Sequence, residues 1–157
     1  MTPSLFKYNR DYNYSFYGKI KKELQSVKFE EIGEGCSRIG YRRGNVVVKV
    51  PINTYGIKYS IAEAFGYRKF RNNPDSKERI YAPCRLLPSG CLMMVYVNGE
   101  CYNGLPRWAL NIDGAQAGTY KGRIVAYDMS HDTVDNVLED SKLWDNKSHH
   151  DLFHSDV

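Results

Sequence analysis

The sequence predicts an α+β protein: a five-stranded antiparallel sheet with one inserted helix, then a reduced second lobe with a short β-hairpin and a C-terminal helix. Three observations predict it. Apolar and β-branched runs of strand length recur between turn signals from residue 28 to residue 97. A single stretch of helical periodicity, Tyr55 to Asn72, interrupts them. Beyond Trp108 the long apolar runs give way to closely spaced glycines and short alternating segments.

At 157 residues the chain is read as one domain, divided into an arm and helix (1–27), a sheet lobe (28–97), a reduced second lobe (98–144) and a flexible tail (145–157). Residues 1 to 14 read as an irregular arm. From Ser15, Phe16, Ile20, Leu24 and Val27 fall on one face of a helix, and Lys19, Lys21 and Lys22 occupy other faces. Four apolar side chains suit packing against the domain better than lying on a membrane surface.

The stretch Lys28 to Lys49 follows as strand, closely spaced glycines, second strand, an Arg43-Gly44-Asn45 turn, and a third strand ending in Val46-Val47-Val48-Lys49. Its glycines, Gly33 and Gly35, let a ligand come close to the main chain. They sit in a hairpin, whereas a dinucleotide fingerprint or a Walker loop opens a helix. Pro51 ends the third strand.

In the helix from Tyr55, Ile57, Ile61, Ala64 and Phe65 form an apolar face, and Asn72-Asn73-Pro74-Asp75 stops it. At about 100° per residue, Glu63 falls away from that face, beside Tyr59, Tyr67 and Phe70. It is either a solvated helix glutamate or a partner for Lys49 on a rotated helix. Cys84 to Leu87, a Pro88-Ser89-Gly90 turn and Cys91 to Val97 then make a hairpin, the second strand nearly all apolar and so expected at the sheet interior. Later come a short strand or turn at Leu110 to Ala117, a Lys121-Gly122 turn, a strand Arg123 to Tyr127 delivering Asp128, and a helix Asp132 to Leu143.

Hydrophobic residues make up 42% and charged residues 25%, which excludes a disordered chain. The formal net charge of +4 comes from short, scattered basic clusters, a poor match to a nucleic-acid groove. Lys19, Lys21, Lys22, Arg42 and Arg43 are the residues such a role would use. No apolar run is long enough to span a bilayer and no leader is legible, so no membrane contact and a cytoplasmic location are expected. Cys36, Cys84, Cys91 and Cys101 lack metal-site or disulfide spacing and are expected as free thiols. His149, His150, Asp151 and His154 offer metal ligands only if the tail is ordered.

From Lys28 to Met129 this order of elements resembles the protein-kinase-like superfamily, and in particular the small kinase-like proteins of bacteriophages. Gly33 and Gly35 match the first two glycines of the family's loop, with Arg38 where the third would stand. Val47-Val48-Lys49 matches the lysine strand, and Glu63 the helix glutamate that holds that lysine. Asp113 stands for the catalytic aspartate, Gln116 for the metal-binding asparagine, and Asp128-Met129-Ser130 for the magnesium-binding Asp-Phe-Gly. The resemblance implies ATP bound by Gly33, Gly35, Lys49 and Glu63, magnesium on Asp128 and Gln116, and catalysis by Asp113 and Asp128. His-Arg-Asp is absent, and only about 60 residues follow the hinge-like strand. The implied function is that of a degenerate kinase-like protein that binds and modulates another protein, such as a host or regulatory factor. The alternative is a minimal ATP- and magnesium-dependent phosphotransferase, and a third reading is a basic nucleic-acid-binding module.

Overall fold

The computed structural model describes residues 3–8, 14–70, 81–99 and 117–127. A 3-10 turn, Pro3–Phe6, precedes helix α1, Tyr14–Ser26. The sheet strands are β1, Glu30–Glu34, β2, Arg38–Arg43, β3, Val46–Pro51, β4, Cys84–Leu86, and β5, Leu92–Val95. Helix α2, Thr54–Phe70, lies between β3 and β4 in sequence. Strands β6, Ala117–Tyr120, and β7, Arg123–Ala126, form a separate hairpin. The large sheet is antiparallel in the order β1-β2-β3-β5-β4, so the α+β class with a five-stranded sheet holds.

Local chemistry sets the turns. Gly44 takes a φ of 60°, as the two-residue β2–β3 turn requires, and Gly90 takes 92° in the β4–β5 turn. Asn53 caps α2: its side-chain oxygen accepts from the Gly56 N–H at 3.0 Å.

The register then sorts side chains between two faces, because antiparallel partners share a face and neighbours along a strand alternate. Gly40 lies opposite Lys49 and Arg38 opposite Pro51, while Tyr41 lies opposite Val48 and Ile39 opposite Val50. Helix α1 covers the second of these faces, where the Tyr17 and Tyr41 hydroxyls meet at 3.1 Å above buried Ile20 and Leu24. Helix α2 covers the first. The core is therefore a three-layer stack with the sheet in the middle.

Two expectations need correction. The single apolar stripe assigned to α2 understates its burial, since Ser60, Ile61, Ala62, Glu63, Ala64 and Phe65 are all buried. The reason is that the helix is gripped on more than one side: a Cβ added at Gly66 would lie 2.6 Å from the Tyr81 ring. A short strand or turn was expected at Leu110 to Ala117; its part up to residue 116 lies outside the described residues, and its end is corrected, since β6 runs Ala117–Tyr120, paired up to the Lys121-Gly122 turn. Alternation was too weak there to fix its end, and pairing decided it. The expected C-terminal helix and the tail lie outside the described residues. Among the described residues no helix is long and apolar enough to cross a membrane.

Candidate functional site

Lys49 projects from β3 toward α2 because the register puts it on the α2 face. Its ammonium lies 3.3 and 3.2 Å from the two Glu63 carboxylate oxygens and also donates to the backbone carbonyl of Tyr127, just past β7. Arg38, two residues along β2 from Lys49's cross-strand partner Gly40, shares that face. Its guanidinium donates to Glu63 Oε1 at 2.6 Å and lies 3.5 Å from Ser60 Oγ. The Glu63 side chain is 2% exposed, Arg38 7% and Lys49 12%. Two cations thus share one carboxylate in a dry place. Removing the carboxylate would leave both cations buried without compensation.

Cys84 marks the floor of the cluster. Its thiol lies 3.7 Å from the Glu63 carbonyl, and burial pushes its pKa well up. The Glu63 carboxylate adds to that rise, while Lys49 and Arg38 oppose it.

The glycine hairpin above is a tight turn. The Gly35 N–H donates to the Arg38 carbonyl at 2.9 Å, and the Ser37 carbonyl accepts from the Ile52 N–H at 2.9 Å. That carbonyl also lies against Gly56 at the start of α2, where an added Cβ would come within 2.2 Å of it. Gly33 has nothing within 4 Å of where a Cβ would stand, and Gly35 only the Arg38 carbonyl at 3.4 Å. Neither glycine is demanded by the turn's packing, and open space adjoins Gly33.

Of the residues singled out in the sequence, Lys49 and Glu63 are brought together, and Gly33 and Gly35 lie in the adjoining hairpin. Asp113, Gln116 and Asp128 lie outside the described residues, as does the His149–His154 cluster. The solvated reading of Glu63 fails because the helix is buried on that side too. Arg38 was taken only as a departure from a glycine pattern, yet it holds the same carboxylate as Lys49. A signal existed: a two-residue Gly44-Asn45 turn fixes the register, and counting back from Lys49 puts Arg38 on the same face. The Tyr127 carbonyl had no such signal, because it belongs to the main chain of a separate hairpin.

The basic set is divided by the same alternation. Arg42 stacks over the Tyr96 ring with its guanidinium carbon 3.3 Å from the centroid. Arg43 turns to the other face and donates to the Val27 carbonyl at the end of α1, at 3.0 Å. Compared with family models, curated proteins and solved structures, the chain has no match in any of the three.

Proposed function

We propose that this chain is a degenerate kinase-like protein that acts by binding another protein, with the Lys49–Glu63 pair retained to hold the fold together. One observation carries the reading: all three donors of the Lys49 ammonium have protein acceptors, the two Glu63 oxygens and the Tyr127 carbonyl. A phosphate could be met only by giving one of them up. Arg38 reinforces the arrangement by holding Glu63 independently of Lys49. Exposed Phe6, Ile32 and Tyr55, at 55, 52 and 65% of their surface, supply apolar contact area for a partner. The phage resemblance makes a host or regulatory protein the class to screen.

A minimal phosphotransferase is the second reading, favoured by the net positive charge of the Arg38, Lys49 and Glu63 group beside the open space over Gly33. In that reading ATP with magnesium would supply the phosphoryl group, Lys49 would orient it, and Asp113, Gln116 and Asp128 would complete the site. The charge of the cluster suits a phosphate, but the three donors of the Lys49 ammonium already have protein acceptors.

Thermal unfolding with increasing ATP and magnesium, in the wild type and in Lys49→Met, separates the two. The binding reading expects no shift in either protein and no transfer of labelled phosphate. A saturable, magnesium-dependent stabilisation of the wild type that Lys49→Met removes would establish the second reading instead.

A further inference from the structure

The large sheet has two edges, and the structure treats them differently. Just before β4, Tyr81 bridges to Ala126 of β7, and the Ala82 N–H donates to the Ala126 carbonyl at 2.9 Å. The hairpin therefore flanks that edge. At the other end β1 pairs with β2 alone among the described strands, and all five of its residues are exposed. An edge of this kind presents backbone donors and acceptors that an added strand can use.

Its side chains restrict what can be added. In Glu30-Glu31-Ile32-Gly33-Glu34, three of five residues are carboxylates on a chain whose overall charge is +4. Their field is felt inside: Glu31 and Glu34 both contribute to raising the Tyr41 pKa, behind burial and the Tyr17 hydroxyl. A second copy of the chain is a poor occupant, since a two-fold pairing about Ile32 sets Glu30 against Glu34 twice, and like charges opposite one another destabilise a ribbon. A strand protected only against pairing would carry no large apolar residue, yet Ile32 is 52% exposed and lies over Gly40. The register also breaks between Glu31 and Gly33, which frees Ile32 from a fixed cross-strand partner.

We propose that the β1 edge is the docking surface of this protein, and that it takes an extended, basic segment of a different protein as an added strand. Alternating lysines or arginines pair with Glu31 and Glu34, which share the Tyr41 face, and the apolar residues between them fall on the opposite face and cover Ile32, which lies over Gly40. This partner class rests on the binding role proposed above.

The probe is a blocked hexapeptide of alternating lysine and valine, titrated into the full chain and followed by fluorescence anisotropy and amide hydrogen exchange. Binding is expected, with slowed exchange at Glu30–Glu34 and affinity about tenfold lower in Glu31→Lys/Glu34→Lys, a loss of roughly 1.4 kcal/mol. Ile32→Ser keeps the charges and is expected to weaken binding as well, which decides the matter if the charge variant misfolds. A peptide of alternating lysine and proline has the same charge but cannot supply the ladder bonds. Equal binding by that peptide, protection confined to other segments, absence of binding, or concentration-dependent self-association through β1 overturns the proposal. ATP binding in the thermal experiment would overturn the binding-only role without moving these readouts. Failure at β1 with no ATP binding would leave that role in place on another surface.

Discussion

Glu63 is the residue on which the site turns. It lies on a helix, 1% exposed, and answers two cations from two different strands. Buried charges are tolerated only when paired, so the penalty for losing a member depends on what is left behind. Glu63→Ala leaves Arg38 and Lys49 facing each other without an anion, and is expected to cost about 3–5 kcal/mol in urea unfolding. Lys49→Met leaves the Arg38–Glu63 pair intact and deprives chiefly the Tyr127 carbonyl, so its cost is expected nearer 1–3 kcal/mol. Equal losses in the two variants would mean that Arg38 does not hold the carboxylate. The Lys49–Glu63 pairing could be suspected from the order of strand and helix. That Glu63 is inward could not, since periodicity marks one preferred face and α2 is covered on several.

At the scale of elements, the glycine hairpin and α2 behave as one unit. The Asn53 side chain joins them, donating to the Cys36 carbonyl at 3.4 Å while accepting from the Gly56 N–H. Gly56 is the point of closest approach, with Pro51 Cβ 2.8 Å and the Ser37 carbonyl 2.2 Å from an added Cβ. In an exposed helix an alanine for glycine exchange would stabilise by about 1 kcal/mol. Here the methyl group would meet backbone, so Gly56→Ala is expected to destabilise by about 1–3 kcal/mol, and to speed amide exchange at Gly35 and Ile52. Gly33→Ala, with open space around it, is the control expected to leave both unchanged. The hairpins of the large sheet were legible because turn chemistry and strand runs coincide there. The end of β6 at Tyr120 was not, since little in its sequence alternates.

For the whole molecule, burial of titratable groups ties stability to alkaline pH. Burial pushes the Cys91 thiol up to about 12 from its ordinary 9.0, with the Ser89 hydroxyl acting in the opposite direction. Cys84 and Tyr41 are raised as well, both chiefly by burial. Each keeps its proton in the folded state after the unfolded chain has lost it. Their contribution is thus complete below about pH 9 and falls as pH rises toward 12, by at most about 1.4 kcal/mol per pH unit for each group. Urea midpoints measured from pH 8 to 11 are expected to fall, with a shallower slope in Cys91→Ala. An unchanged slope in that variant would show that the Cys91 thiol titrates in the folded state as it does in the unfolded one.

The sequence by itself determined the α+β class, the hairpins that flank the Arg43-Gly44-Asn45 and Pro88-Ser89-Gly90 turns, and the order in which Lys49 and Glu63 appear. These are local matters of backbone preference and of the spacing of apolar side chains. Only the tertiary structure decided that Arg38 and Lys49 share one buried carboxylate, that the Tyr127 carbonyl takes the last lysine donor, and that β1 ends the sheet among the described residues. Each of these joins groups far apart in the chain. Their meeting is set by register and layer packing, which no single stretch of sequence carries.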